Sequence, residues 1–391
     1  MVEPFYAMKC NPDPVIVRLL ATLGCGFDCA TMGEIDLVLN GLGKELSFSP
    51  RGLTQDKLVY ANPAKFQSHL EFATSSGVRK TVFDGEDELY KLAKVNDSLP
   101  EGQKLELLLR ITTNDEKSVC SFSNKFGCPV SQGPELLEVA KKLGLDVVGV
   151  SFHVGSGCGD PAAYSTAFDH ASRLFQAADQ LGMKKMTLVD IGGGFPGDNE
   201  GTYRAGMPTF LDIAATVRNA IADFRMKFTA DRELRFIAEP GRYFVSRSTT
   251  IATKIYGRKG GKGKTQALYI DDGVYGSFNN VVYDHYHPVP IKLTSALESH
   301  DDEASNAQMP TAVFGPTCDG LDQICKQHET MLERAEIGDW LIFKNMGAYT
   351  HTASFVFNGY THIPKKVHCI STVGYDEDSS LSADEDANTR L

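Results

Sequence analysis

The sequence predicts an α/β protein with a closed (β/α)8 (TIM-like) barrel over residues 1–242 and a mainly antiparallel β domain over residues 243–373. Eight short apolar runs alternate with segments of helical periodicity, which is the pattern of a parallel sheet covered by helices. Most of these runs carry a charged residue, a histidine or a glycine at or near their C-terminal end, and functional residues occupy that C-terminal edge in (β/α)8 barrels. From the pattern alone, an open doubly wound sheet is the alternative.

The eight runs are rich in Val, Ile, Leu and Phe, as is typical of strands buried on both faces. They span residues 4–9, 26–30, 58–62, 81–84, 105–111, 147–154, 187–192 and 236–239. Helices are predicted between them over residues 14–23, 33–39, 86–95, 134–143, 162–181 and 209–228. The helix at 134–143 has the clearest signals, since Pro134 lies in its first turn and Gly144 follows its last residue.

After residue 242 the regular helical segments end, and Gly, Asn and Asp break the apolar runs, which predicts antiparallel strands. These strands are predicted over residues 249–256, 267–270, 281–283, 311–314, 340–343, 354–357 and 367–370. Residues 374–391 are acidic and poor in apolar side chains, which predicts a disordered tail.

The composition argues against several classes of function. Lys and Arg number 39 against 50 Asp and Glu, and the net charge of −11 disfavours a general nucleic-acid or anionic-membrane surface. The 9 cysteines form neither a compact disulfide framework nor a paired CxxC set, so we expect reduced thiols and no metal. No signal peptide and no apolar run of membrane-spanning length is found, and we therefore expect a cytoplasmic protein.

Lys9 ends the first run, and the proposed chemistry depends on it. A lysine at the C-terminal end of a barrel strand can form a Schiff base with a carbonyl cofactor. The alternative is an ordinary surface lysine. Asp28 and Arg110 end two further apolar runs, where an unpaired charge is costly, so we expect them to pair with each other or with the cofactor.

The last three barrel runs end in residues suited to an aromatic, phosphorylated cofactor. The glycines at 192–194 can offer backbone N–H groups to a phosphate, or they simply form a tight turn. Glu239 can pair with a protonated pyridine nitrogen and Arg242 with a phosphate, unless the two form a structural ion pair. His153 can stack on a ring and Ser156 can bind phosphate, although a lone histidine is often structural.

The second domain adds candidates of its own. Cys318 is a possible proton donor, or else an inert small side chain. Asp284 and Asp319 are candidates to hold a substrate ammonium, against the alternative of ordinary loop acids. Tyr349 offers a phenol for hydrogen bonding, although core tyrosines are common.

Together these segments resemble the eukaryotic ornithine decarboxylases, which belong to the alanine-racemase-like, fold-type III pyridoxal-phosphate-dependent decarboxylases. The motifs that carry the resemblance span nearly the whole chain in the family's order. They are PFYAMKCN at 4–11, GFDCA at 26–30, KFG at 125–127, GVSFHVGSGC at 149–158, DIGGGFPG at 190–197, AEPGRY at 238–243, DGVYGSFN at 272–279, YDH at 283–285, GPTCDGLD at 315–322 and NMGAYT at 345–350.

The resemblance implies a role for each candidate in the barrel. Lys9 would carry pyridoxal 5'-phosphate as a Schiff base, Glu239 would hold the pyridine nitrogen and His153 would stack on the ring. The further cofactor-binding residues implied are Asp28, Arg110, Ser156, Gly192, Gly193, Gly194, Gly241, Arg242 and Tyr349. The reaction implied is decarboxylation of L-ornithine to putrescine, a step of polyamine biosynthesis.

The family also implies a homodimer with two shared active sites. Cys318 of the partner subunit would return a proton to the substrate carbon after carbon dioxide leaves. Asp284 and Asp319, with Tyr283 beside the first, would bind the distal ammonium of ornithine. Lys125 and Asp322 would pair across the interface. Binding by a regulatory antizyme is a further expectation from the family alone.

This sequence departs from the family pattern in places. Family members carry a sizeable segment before the lysine strand, whereas this chain starts three residues before Pro4, which puts stability and activity in question. Ala64 stands where cysteine is common, which is a conservative change. Tyr286 stands where a small residue is frequent and lies close in sequence to the substrate acid Asp284, so we expect that distal-amine specificity could differ. The alternatives are a decarboxylase of lysine or of basic amino acids more broadly, and a non-catalytic protein similar to the antizyme inhibitors.

Overall fold

The first domain is a closed barrel of eight parallel strands. The computed structural model describes residues 1–41, 54–197, 206–228, 232–260, 265–293, 307–360 and 366–369. The barrel strands are β1 (Val2–Ala7), β2 (Gly26–Cys29), β3 (Leu58–Tyr60), β4 (Lys80–Phe83), β5 (Glu106–Ile111), β6 (Asp146–Phe152), β7 (Leu188–Asp190) and β8 (Arg235–Ala238). Because β1 pairs in parallel with both β2 and β8, the barrel is confirmed and the open sheet is excluded.

Helices follow most of the strands and cover the outside of the barrel. They are α1 (Pro14–Thr22), α2 (Met32–Asp36), α3 (Gln67–Ser75), α4 (Glu86–Ser98), α5 (Gly133–Lys142), α6 (Ala162–Gln180), α7 (Phe210–Phe228) and the short α8 (Arg242–Val245). Local signals set several ends: Asp13 caps α1 by accepting a hydrogen bond from the Val15 N–H at 3.0 Å, and Pro14 occupies the first turn. Helix α3 was not predicted, since its apolar stripe is weak.

The barrel has two separate apolar regions. Strand residues, among them Phe5, Val59 and Leu108, form a compact buried cluster that fills the interior. Larger clusters lie between the strands and the helices, where Phe168, Phe175 and their neighbours pack. Because the eight strands run parallel, their C-terminal ends lie at one rim of the barrel.

The second domain is a mixed, mainly antiparallel sheet with strand order β11-β15-β9-β10-β12-β13. Its strands are β9 (Ile251–Gly260), β10 (Gln266–Ile270), β11 (Pro290–Leu293), β12 (Met309–Phe314), β13 (Gln323–Cys325), β14 (Met331–Leu332) and β15 (Trp340–Phe343), with β14 paired to β12. Among the described strand pairs of this second sheet, only β10–β12 is parallel. The mainly antiparallel prediction is therefore confirmed.

Some predicted strands of this domain are wrong. Residues 281–283 lie in a short helix, α9 (Asn280–Tyr283), because the Tyr283 N–H bonds back to the Asn279 carbonyl at 3.0 Å instead of to a neighbouring strand. Residues 354–357 form no strand, since the Phe355 N–H bonds to the Tyr275 carbonyl of a loop. Residues 367–369 are not a strand, and the predicted disordered tail at 374–391 lies outside the described residues.

The short strands β11, β13 and β14 were missed, because runs of two to four residues carry little periodicity. The predicted domain boundary at residue 242 falls at the first residue of α8, and it stays a prediction. Within the described part of the chain, no helix combines the length and the apolar character needed to cross a bilayer.

Candidate active site

Lys9 lies at the C-terminal rim of the barrel, in a one-turn 3-10 helix (Met8–Cys10) that follows β1. Its ammonium donates a hydrogen bond to Asp28 Oδ2 at 2.6 Å, and Asp28, the next-to-last residue of β2, has 1% of its surface exposed. Burial acts to lower the pKa of Lys9, but the negative charge of Asp28, with Tyr349 and Glu239 behind it, outweighs burial and raises that pKa. The Lys9 side chain is 41% exposed, so it is reachable from the barrel mouth.

The second domain holds the turn that carries Lys9. The Cys10 carbonyl accepts hydrogen bonds from the Tyr349 N–H at 3.0 Å and from Thr352 Oγ1 at 3.1 Å. Asn11 Nδ2 donates to the Gly347 carbonyl at 2.8 Å. Both domains therefore fix the position of the lysine. The only sequence signal for Asn11 is its place at the end of the motif that contains Lys9.

The glycine run after β7 packs directly against His153. A Cβ atom at Gly192 would lie 2.2 Å from the Phe152 carbonyl oxygen, and one at Gly193 would lie 2.8 Å from His153 Nε2. Gly194 has φ +105°, a backbone conformation that favours glycine. Because these glycines have no side chains, the backbone at 192–194 can pack this closely against its neighbours. A phosphate-binding loop made of backbone N–H groups requires such a close approach.

Glu239 places a carboxyl group in the site with one oxygen left unbonded. It is 5% exposed, and its Oε1 atom is buried without a hydrogen-bond partner among the described residues. Burial, and then the nearby Asp190 and Asp28, raise the pKa of Glu239 well above its ordinary value. Such an oxygen is suited to accept a hydrogen bond from a protonated ring nitrogen.

Asp190 is a further buried acid in the site, and the sequence prediction gave it no role. Its carboxylate accepts hydrogen bonds from the Gly192 N–H at 3.0 Å and from Ser151 Oγ at 3.2 Å. Burial raises the pKa of Asp190 to about 6, against the opposing effect of these donors and of Glu239. The motif that contains the glycine run was the available signal for it.

His153 is held as a neutral ring. Its Nδ1 accepts a hydrogen bond from the Gly155 N–H at 3.0 Å, and its ring packs edge-to-face against Phe122 with centroids 5.0 Å apart. Burial, and then the charges of Arg110 and Lys9, lower the pKa of His153 well below its ordinary value. A neutral imidazole is suited to stacking. Phe122 was not singled out from the sequence.

The expected pair of Asp28 with Arg110 is not formed. Asp28 pairs with Lys9, while the Arg110 guanidinium lies over the Phe126 ring at 5.1 Å. The second oxygen of Asp28, Oδ1, is buried without a hydrogen-bond partner among the described residues. The positive charge of Arg110 contributes to the low pKa of His153. The same charge partly opposes the rise in the pKa of Glu239 that burial and the neighbouring acids cause.

The structure brings Arg242, Ser156 and Tyr349 together, as a shared phosphate site requires. Arg242 Nη2 donates to Ser156 Oγ at 3.1 Å, and the guanidinium lies 5.0 Å from the centre of the Tyr349 ring. The same guanidinium contacts both carboxylate oxygens of Asp284, with Nη2 2.7 Å from Oδ1 and Nη1 2.7 Å from Oδ2. A Cβ at Gly241 would lie 2.9 Å from the Cys10 Cβ, so glycine allows this segment to pack beside the lysine turn.

Cys318 and Asp319 lie apart from this cluster. Cys318 is exposed, with its N–H bonded to Asn358 Oδ1 at 2.9 Å. Asp319 accepts a short hydrogen bond from the Tyr275 hydroxyl, and the Tyr275 ring stacks on Phe357 at 4.3 Å. No hydrogen bond or ion pair between described residues links Cys318 or Asp319 to Lys9.

Four further predicted residues have different surroundings. Tyr283 is exposed, and its carbonyl faces the Cys120 thiol at 3.8 Å. Tyr286 is buried in the core of the second domain. Asp322, expected at an interface with Lys125, is buried and accepts hydrogen bonds from Val274 and Thr317 of its own chain. Lys125 lies over the Phe126 ring at 4.9 Å.

Residues 1–246 match the sequence model of the pyridoxal binding domain of pyridoxal-dependent decarboxylases. Antizyme inhibitor 2 of Xenopus laevis is 41% identical over 375 residues, which cover 93% of this chain and 75% of that protein. Ornithine decarboxylase of Mus musculus is 40% identical over 372 residues, covering 92% and 74%. The solved structure of Paramecium bursaria Chlorella virus arginine decarboxylase bound to agmatine aligns with a TM-score of 0.78 at 31% identity, covering 92% of this chain and 87% of that one.

Proposed function

Since the chain belongs to the fold-type III pyridoxal-phosphate-dependent decarboxylases similar to eukaryotic ornithine decarboxylase, we propose that it converts L-ornithine to putrescine and carbon dioxide. The observation that carries this proposal is the meeting of Lys9 with an unbonded, buried Glu239 oxygen in one site. A lysine alone serves many functions. A lysine near a buried carboxyl oxygen that lacks a hydrogen-bond donor among the described residues is suited to bind a cofactor with a pyridine ring.

The residues present fit pyridoxal 5'-phosphate. Lys9 would bind its aldehyde carbon, Glu239 its ring nitrogen and His153 its ring face. Arg242, Ser156, Tyr349 and the glycines 192–194 would hold its phosphate, since the glycine run leaves no room for a Cβ and the arginine supplies charge.

When bound, pyridoxal phosphate supplies an electron-poor ring that accepts the electron pair left by departing carbon dioxide. Glu239 supports this by holding a proton at the ring nitrogen, which an amide side chain would not do. Asp28 accepts a 2.6 Å hydrogen bond from the Lys9 ammonium, so it orients the lysine and keeps it charged until the amine loses its proton and attacks a carbonyl carbon.

Asp284 and Asp319 would bind the distal ammonium of ornithine, with Tyr283 near the first. Because Cys318 and Asp319 have no described contact with the Lys9 cluster, we assign them to the active site of a second copy of the chain. In that homodimer, Cys318 of the partner subunit would return a proton to the substrate carbon. Lysine, or basic amino acids more broadly, are the alternative substrates, which the likeness to an arginine decarboxylase favours.

A second candidate function is a non-catalytic protein that binds antizyme, and the likeness to Xenopus antizyme inhibitor 2 favours it. Against it, Lys9, Asp28, His153, Glu239 and Arg242 are all present and meet in one site. A chain that no longer bound the cofactor would have no need of a buried carboxyl group with an unbonded oxygen, which costs free energy.

The test uses the purified full chain. We expect a visible absorbance band from bound pyridoxal phosphate that borohydride abolishes, and release of carbon dioxide from ornithine in excess of that from lysine or arginine. Protein that shows neither a cofactor band nor carbon dioxide release from any of the three amino acids would favour the binding protein. Equal release from lysine would contradict strict ornithine specificity.

A further inference from the structure

We infer that Asp284 and the cofactor phosphate compete for the same guanidinium, that of Arg242, and that a phosphate which takes Arg242 frees Asp284 to receive the cationic end of the substrate. The inference rests on the proposed function, which assigns Arg242 to phosphate and Asp284 to the distal ammonium. It adds a coupling between two binding sites that were assigned separately.

The first observation is the geometry of the pair. Arg242 Nη1 lies 2.7 Å from Asp284 Oδ2, and Nη2 donates to Oδ1 at 2.7 Å, so both ends of the guanidinium fork face one carboxylate. The two residues are 7% and 4% exposed. One hydrogen bond to Oδ1 and one ion contact with Oδ2 set a buried positive charge against a buried negative charge, so the two charges compensate each other.

The second observation is that one nitrogen serves both sites. Arg242 Nη2, which donates to Asp284, also donates to Ser156 Oγ at 3.1 Å. A phosphate bound at Ser156 and Arg242 would therefore meet the Asp284 carboxylate at short range. Two anions in a buried site repel each other strongly, so the phosphate and Asp284 cannot both keep their full contact with this nitrogen.

The third observation is that the backbone of Asp284 is anchored independently of Arg242. It directly follows α9, and its backbone N–H is fixed to the Asn280 carbonyl at 3.0 Å. The Cys120 thiol lies 3.9 Å from Oδ1, on a loop that pairs with Ser156. Rotation of the side chain alone would keep the freed carboxylate within the site, where it offers a negative charge to an ammonium group.

The consequence is positive coupling between binding of the cofactor phosphate and binding of the distal ammonium of the substrate. By thermodynamic linkage, the factor by which bound phosphate increases the affinity for the cation equals the factor by which the bound cation increases the affinity for phosphate. The carboxylate would attract substrate strongly only where cofactor phosphate is already in place.

The first test compares cofactor affinity, measured by absorbance titration with pyridoxal phosphate, in Asp284→Asn and wild-type protein. We expect the dissociation constant of Asp284→Asn to fall by about tenfold, within the range usual for coupled sites. The matched control is Asp146→Asn, which removes an acid that pairs with Lys185 at the opposite rim of the barrel and should leave cofactor affinity unchanged. In an Arg242→Gln background, Asp284→Asn should change the affinity by less than about twofold.

Unchanged or weaker binding by Asp284→Asn would overturn the inference, because Asp284 would then position Arg242 instead of competing for it. A gain that persists in Arg242→Gln would overturn it as well, since the effect would be one of general charge. If wild-type protein shows no cofactor band at all, the proposed function fails instead.

A second measurement needs no variant and so does not depend on folding. Putrescine is titrated calorimetrically into wild-type protein with and without pyridoxine 5'-phosphate, which carries the phosphate but has no aldehyde to react with Lys9. We expect putrescine to bind about fivefold or more tightly with pyridoxine phosphate present. No enhancement, including no measurable binding in either condition, overturns the coupling.

Discussion

The Lys9 ammonium and the Asp28 carboxylate form a 2.6 Å ion pair at the rim of the barrel, and no other ion pair of Lys9 occurs among the described residues. Because Asp28 is buried while Lys9 is partly exposed, the pair can hold the lysine in place and still leave it accessible. The ion pair keeps Lys9 charged, whereas attack on a carbonyl carbon requires the neutral amine. The pH at which Lys9 captures the cofactor therefore depends on Asp28.

Asp28→Asn should shift the pH profile of cofactor capture to lower pH. Asp28 raises the pKa of Lys9 against the lowering effect of burial, so without the carboxylate the amine becomes neutral at a lower pH. The rate of appearance of the cofactor absorbance band is measured across pH. Asp146→Asn is the control, since it removes an equally short 2.6 Å partner from Lys185 at the opposite rim. An unchanged midpoint, or a shift to higher pH, would contradict this role of Asp28.

Glu239→Gln should lower kcat/KM by about 100-fold or more, the size of effect usual for loss of a positioned proton-holding group. Glutamine matches the size of glutamate but cannot keep a ring nitrogen protonated. Steady-state release of carbon dioxide is the measurement. Glu336→Gln serves as control, because it removes an exposed carboxylate that pairs with Arg258 in the second domain. A loss below about threefold would show that the ring nitrogen has another partner.

Gly193→Ala should weaken cofactor binding by about tenfold or more, since inserting a methyl group into a packed site typically costs about 1–3 kcal/mol. The added Cβ would lie 2.8 Å from His153 Nε2 and 2.9 Å from the Glu239 carbonyl oxygen. Gly85→Ala is the matched control, because nothing lies within 4 Å of its added Cβ. Equal cofactor affinity in the two variants would mean that the glycine run does not border the cofactor.

Mixing Lys9→Ala with Cys318→Ala subunits tests the shared site. Each homodimer should be almost inactive, and a mixed dimer should recover about half of wild-type activity, because one of its two sites combines both intact residues. In a 1:1 mixture about half of the dimers are mixed, so the whole sample should recover about one quarter of wild-type activity. Sedimentation or native mass spectrometry establishes that mixed dimers form. No recovery in a sample that contains them would place Lys9 and Cys318 in the same subunit's site.

The barrel and much of the site could be predicted because their signals are local. Each strand is a short apolar run, and His153, Glu239 and the glycine run stand at run ends that the fold brings to one rim. Lys9 also lies at the end of a predicted run, although the structure places it in the turn after β1 instead of in the strand.

The contacts that the sequence did not reveal join distant segments. Asn11 and its partner Gly347 are 336 positions apart, and no periodicity encodes such a hydrogen bond. The edge-to-face packing of Phe122 on His153 depends on how a long loop folds over the rim. The run at 281–283 became a helix because it lacks a neighbouring strand, and the two valines in it favour strands only where such a neighbour exists.

The most direct test of the central claim is to find which residue the cofactor labels. Purified protein is loaded with pyridoxal phosphate, reduced with borohydride and digested, and the labelled peptide is identified by mass spectrometry. We expect one reduced pyridoxyl group, attached to Lys9. The Lys9→Ala protein should show neither the label nor carbon dioxide release. Labelling mainly at another lysine, or decarboxylation of ornithine that survives Lys9→Ala, would contradict the claim.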